Sequence, residues 1–162
     1  MKTEPQKEHR WLDQLLGEWT VTSDMPTEPG KDDGDLDWIE RVRSLHGLWV
    51  VAEGEGEMPG GGAATTMMTL GYDPRRQRFV GTWVGSMMTH MWVYEGTLDE
   101  SGKVLTLDCE GIDFETEGRM TRYQDIISIK DADHRHLTAR MLAADGTWKH
   151  IMQADHRRRR SS

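Results

Sequence analysis

Cysteine occurs once in the chain, at Cys109, so no intrachain disulfide can form. A fold without staples rests on packing and backbone hydrogen bonds, and a reducing, cytoplasmic setting fits best. Phe is scarce, with two residues, whereas Trp and Met number seven and eleven in 162. Large flat rings and soft thioethers must therefore fill or line the interior. No apolar run approaches the roughly 20 residues that span a bilayer, which argues against a membrane partner. The opening segment MKTEPQKEHR lacks the apolar stretch of a secretory signal. Basic residues are outnumbered 20 to 28, and the net charge of −8 argues against nucleic acid as a partner. The exception is the run Arg157 to Arg160, read as part of a solvated basic tail over 156–162.

Helical periodicity is missing after Gly17. Before it, Trp11, Leu12, Leu15 and Leu16 recur at helical spacing, and Thr3-Glu4-Pro5-Gln6 fits a capping box. A short amphipathic helix is expected over 4–16, ended by Gly17 and closing one end of the fold. Beyond it the pattern has period two, the mark of half-buried strands. Strands are expected at 18–24, 36–45, 48–57, 64–72, 79–84, 90–98, 104–112, 119–130, 136–143 and 148–155. Loops rich in Pro, Gly and acidic residues separate some of them, at 25–35, 59–62 and 113–118. His46-Gly47, Asp73-Pro74 and Asp145-Gly146 mark turns, the last read as a hairpin with φ > 0 at both residues. The chain has no internal repeat, and its length suits one domain spanning 1–162. About ten antiparallel strands joined by short turns imply an all-β, single up-and-down barrel; a two-sheet sandwich is the alternative.

Leu16-Gly17-Glu18-Trp19, just after a short helix, resembles the Gly-x-Trp opening motif of calycin barrels, the group of lipocalins and fatty-acid-binding proteins. That resemblance implies an arginine packed over Trp19, with Arg140 the candidate. The wider pattern is similar to a bacterial family known only as a domain of unknown function. The segments that carry this likeness are Gly47 to Val51, Gly71-Tyr72-Asp73, Gly81-Thr82-Trp83, Ser86-Met87 and Glu95-Gly96-Thr97-Leu98. It implies a calycin-like barrel and no particular reaction.

Alternation assigns the faces. Polar residues at one parity place Phe79, Gly81 and Trp83 inward on the fifth strand, and Met88, His90, Trp92 and Tyr94 inward on the sixth. The same rule turns Tyr123, Asp125 and Ile127 inward, and Trp148, His150 and Met152 on the last strand. Trp83, His90, Trp92, Tyr94, Tyr123, Asp125 and His150 are thus the candidate ligand-binding residues, with Gly81, Gly96, Cys109 and Ala139 leaving room among them. The competing reading is a packed core in which His and Tyr satisfy one another. An enzyme in the same cavity is an alternative, of isomerase, cyclase or hydrolase type. It would use His90 or His150 as base, Asp125 to orient it, and Tyr94 or Tyr123 as proton donor. No cofactor is expected; haem, with His90 or His150 as axial ligand, is the one that haem-binding calycins bring to mind. A third alternative is a non-catalytic module that forms a homodimer through Met91 and Val93. Met87-Met88-Thr89-His90-Met91 has soft-metal donors, but strand alternation splits them between two faces. His134-x-His136 lacks a third zinc ligand, Gly60-Gly61-Gly62 lacks the Lys and helix of a phosphate loop, and Cys109 is read as an inert buried thiol.

Overall fold

The alternating segments become ten strands, each antiparallel to its neighbours. The computed structural model describes residues 3–24, 36–58 and 61–160. The strands are β1 (Gly17–Ser23), β2 (Leu36–Leu45), β3 (Trp49–Glu57), β4 (Ala63–Asp73), β5 (Arg78–Gly85), β6 (Trp92–Leu98), β7 (Val104–Ile112), β8 (Met120–Asp131), β9 (His134–Leu142) and β10 (Trp148–Arg158). Sequence neighbours pair throughout, and β1 closes on β10 with Trp19 opposite Arg158. The barrel is a closed up-and-down meander, so among the described residues no strand edge is left to recruit another chain. The expected loop over 25–35 and the Pro59-Gly60 part of the second loop lie outside the described residues. Among the described residues no helix is long and apolar enough to cross a membrane.

One of the expected turns differs from expectation. His46 and Gly47 both have positive φ, the pair of conformations that a tight hairpin needs. At Asp145-Gly146 only Gly146 is left-handed. The Asp145 carboxylate instead accepts the Thr147 N–H at 2.9 Å and the Thr147 O–H at 2.6 Å, so a side chain completes a longer turn.

The N-terminal helix is shorter than its periodicity suggests. It is α1 (Lys7–Leu12), tightened into a 3-10 turn over Asp13–Leu15. Gln6, not Thr3, is the N-cap, and the Gln6 N–H donates to His9 Nδ1 at 2.9 Å. His9 Nε2 then pairs with the Tyr72 carbonyl at 3.1 Å, and Trp11 Nε1–H donates to the Gly102 carbonyl at 2.6 Å. Leu12 and Leu15 are buried with Leu70, Phe79, Leu105 and Ile127. The helix therefore plugs the end of the barrel where the 74–77 and 99–103 turns lie, by hydrogen bonds as well as by its apolar stripe.

Trp19 is 1% exposed beneath this plug, and its Nε1–H donates to the Leu15 carbonyl at 2.9 Å. Two guanidiniums lie over its ring: Arg158 at 4.3 Å and Arg135 at 4.8 Å. Arg140 is not among them. Inward positions on β9 are odd-numbered, Arg135, Leu137 and Ala139, so Arg140 faces out, where it lies over Trp148 at 4.7 Å and donates to Gln124 Oε1. The expected basic tail is also corrected. β10 runs to Arg158, whose guanidinium donates to the Leu16, Gln14 and Ala132 carbonyls, while Arg159 pairs with Glu18 and Arg160 with Asp133. Arg158 to Arg160 form a seam of ion pairs near the plug.

Candidate ligand-binding cavity

Away from the plug, the same inward parity brings large rings to one wall and small residues to the rest. Trp83 on β5 stands directly opposite Trp92 on β6, and Tyr94, Tyr123 and Asp125 continue the wall. Gly111 on β7 lies between them; a side chain there would overlap the Trp92 ring. Without one, Trp92 crosses β7 and meets Tyr123 edge to face, with centroids 4.8 Å apart. These residues line a cavity of about 320 Å³. Met87, Met88 and Phe114, all exposed to some degree, stand at its mouth, and Met88 Sδ accepts the Trp92 Nε1–H at 3.2 Å.

Asp125 is the polar centre of the wall. Its Oδ2 accepts the Tyr94 O–H at 2.5 Å. Burial pushes its carboxyl up to about 6, and the Tyr94 hydrogen bond offsets only part of that. Burial and the neighbouring Asp125 charge hold the Tyr94 phenol well above its usual value. The Tyr123 O–H is spent on the Ile112 carbonyl. Cys109 is buried close by, and burial raises its thiol far above the reactive range.

A second polar group lies toward the plug, in side chains that the sequence reading passed over. Glu40 pairs with the buried Arg135, and His156 Nε2 stands 3.6 Å from Glu40 Oε2. Burial alone would raise the Glu40 carboxyl, but the charge of Arg135 and the adjacent His156 outweigh it and bring it to about 2. Burial and the Arg135 charge depress His156, which favours the neutral ring. Its Nδ1 has no hydrogen-bond partner among the described residues. Glu40 and His156 line the cavity, as do Trp38 and Met68. A glutamate at the inward parity of Trp38 and Val42 was the available signal. His156 was hidden by its assignment to the tail.

Five of the seven expected residues, Trp83, Trp92, Tyr94, Tyr123 and Asp125, thus share the cavity, and two do not. His90 is not in a strand: residues 86–91 form a turn, β6 begins at Trp92, and His90 Nε2 pairs with the Glu110 carbonyl at 2.8 Å at the rim. The same turn breaks the expected alternation of Met87 and Met88, which both reach the mouth. His150 is outside because β10 carries a bulge. His150 faces Arg140, yet Met152 faces Ala139, so the extra residue Ile151 inverts the parity. Trp148 and His150 turn outward, and Met152, Ala154 and His156 turn inward. Neither of the histidines considered as base or haem ligand reaches the cavity. On the outer surface His134 and His136 share Asp155 Oδ1, at 2.9 and 3.0 Å. Among the described residues no group of His, Cys, Asp and Glu could hold a metal ion.

The family model for a protein of unknown function (DUF1579) matches residues 4–158. The chain belongs to this family. The segments through which the sequence resembles such a family are architectural here. A side chain at Gly71 would overlap the Trp49 ring, and one at Gly81 or Gly96 would strike the backbone of the neighbouring strand. They shape this member's barrel wall. No curated protein matches the sequence. Among solved structures, Rv2717c from M. tuberculosis is 14% identical, with 97% of this chain and 100% of that chain covered and a TM-score of 0.65. The redesigned β-barrel b11L5F_LGL is 10% identical over 93% and 96% of the two chains, with a TM-score of 0.49. The redesigned β-barrel mFAP0, bound to DFHBI, is 11% identical over 90% and 99%, with a TM-score of 0.45. The likeness to Rv2717c shows the barrel fold that this family member shares.

Proposed function

We propose that this protein binds a small, mostly apolar ligand inside its barrel. The observation that carries the reading is the cavity of about 320 Å³, walled by Trp83, Trp92 and Tyr123 with few polar groups, Asp125 and His156 among them. Apolar concavity with sparse, placed polar atoms is the common form of a small-molecule site. A packed core of the same residues would leave no such space. No cofactor, nucleic acid or membrane enters the reading, and the lone buried thiol supports a cytoplasmic setting.

Native mass spectrometry of the protein as purified tests it, together with tryptophan fluorescence titration, since Trp83 and Trp92 stand in the wall. The expected result is a retained mass, or saturable quenching by at least one class of small apolar molecule. A ligand-free mass and no saturable quenching by aliphatic, aromatic or amphipathic compounds would overturn it.

The Tyr94–Asp125 bond supports a second reading, an enzyme in the same cavity with Asp125 as the proton acceptor in place of the histidines. Met91 and Val93, exposed beside each other outside the barrel, support association of two copies as the reading for a cavity that takes no ligand.

A further inference from the structure

We propose that the cavity selects a hydrophobic amine, held as its ammonium ion by Asp125 against the surrounding ring faces. This rests on the ligand-binding reading above and adds the chemistry of the ligand's head group.

Asp125 is enclosed by the barrel wall, and the accessible area it keeps opens on the cavity it lines. Among the described residues no basic side chain forms an ion pair with it, and the hydrogen bond it receives comes from a neutral phenol. An ionised carboxylate in an apolar wall is costly unless a cation or several donors meet it. The groups that face it are themselves neutral or acidic: Tyr94 from β6, Cys109 from β7 and Tyr123 on its own strand, with the non-titrating Leu107 and Ala139 opposite it on β7 and β9. Farther along the cavity lie Glu40 and His156. The counter-ion must therefore come with the ligand.

The remaining lining agrees. Trp83, Trp92 and Tyr123 bring three aromatic rings to the cavity that Asp125 lines, and ring faces attract cations. Of the two carboxylates on the lining, Glu40 is already paired with Arg135, and Asp125 has no cationic partner among the described residues. An ammonium group brings three donors and no acceptor. A fatty-acid carboxylate finds no free cation among the described residues, because Arg135 is committed to Glu40 and borders a separate void of about 30 Å³. The head-group preference thus runs opposite to the one that a resemblance to fatty-acid-binding proteins would suggest.

The test is calorimetric titration of the full chain with three probes of one shape: phenylbutylamine, phenylbutanol and phenylbutanoate. At pH 7.5 the amine should bind about tenfold or more tighter than the alcohol, and the acid weakest. Asp125→Asn should bring the amine to within about twofold of the alcohol while alcohol binding persists. The preference should also shrink toward pH 5, as Asp125 takes up its proton while the amine stays charged. Should Asp125→Asn not fold, the wild-type pH profile decides. Alcohol or acid binding as tightly as the amine, or a preference unchanged between pH 5 and 7.5, would overturn the inference and leave the cavity reading standing. No binding of any probe, with a ligand-free native mass, would remove both.

Discussion

Arg158 and Arg140 lie over tryptophans at nearly equal distances, 4.3 and 4.7 Å, but only one ring is buried. Arg158 also donates to three carbonyls at the plug, whereas Arg140 shares the outer face with Gln124. Arg158→Ala should therefore cost about 2–3 kcal/mol and Arg140→Ala less than about 1, read as shifts in the urea midpoint. Equal shifts would mean that the guanidinium over Trp19 does nothing beyond its own packing. Asp125 gives a second prediction, with a definite sign. Its folded value of about 6 lies above the ordinary 3.8, so the folded chain holds a proton that the unfolded chain has released. Stability without ligand must fall as pH rises from about 4 through about 6, by on the order of 3 kcal/mol at most. Asp125→Asn keeps an acceptor for Tyr94 and removes the charge, so it should flatten this fall and match or exceed the wild type at pH 7.5. Glu40 has the opposite sign. Held at about 2 against an ordinary 4.5, it contributes stability above 4.5 that is lost as pH falls toward 2. Urea midpoints at pH 4.5 and 7.5 separate the two, and a wild type more stable at 7.5 than at 4.5, with Asp125→Asn no different, would contradict the assignment.

At the scale of elements, the helix–strand order was legible because burial has one period in a helix and another in a strand. Trp11, Leu12, Leu15 and Leu16 read as one apolar stripe, and Leu12 and Leu15 are indeed among the buried core. Leu15→Ala should lower stability by about 2–5 kcal/mol, checked by thermal or urea unfolding, because the 3-10 turn holds it against a wall that cannot collapse to meet it. An unchanged midpoint would mean that the plug is not part of the cooperative fold. Where the element changed local geometry, alternation misled. The bulge at Ile151 has no composition of its own: His150, Ile151 and Met152 read as ordinary strand, and only the pairing with β9 exposes the inverted parity. His90 failed for a related reason, since the strand expected over 90–98 starts only at Trp92 and the chain before it turns all the way to Met91. Five wall residues survived because β5, the body of β6 and the first part of β8 are regular. The Glu40–Arg135–His156 group was not legible, because three strands distant in sequence, β2, β9 and β10, meet only through barrel closure.

Over the whole molecule, the barrel is filled at one end and hollow at the other. Leu70, Phe79, Leu105 and Ile127 pack under the plug, where a void of only about 30 Å³ remains, while the wall beyond them keeps small residues that a stable core would not choose. Ala139 is the informative one. It sits on β9 between Asp125 on β8 and Met152 on β10, with its side chain on the cavity. Ala139→Leu would add three carbons to free space rather than to packed atoms, so the usual cost of overpacking does not arise. Burying that surface should contribute about 1–2 kcal/mol, and a domain of this size converts 1 kcal/mol into roughly 2–4 °C of melting temperature. The variant should therefore melt at or somewhat above the wild-type temperature, and it should lose the ligand that native mass spectrometry finds on the wild type. Gains in stability at the expense of binding are the behaviour of a site kept open for use. A clear fall in melting temperature would place packed atoms where the cavity is drawn, and the barrel would then be a solid core with aromatic walls.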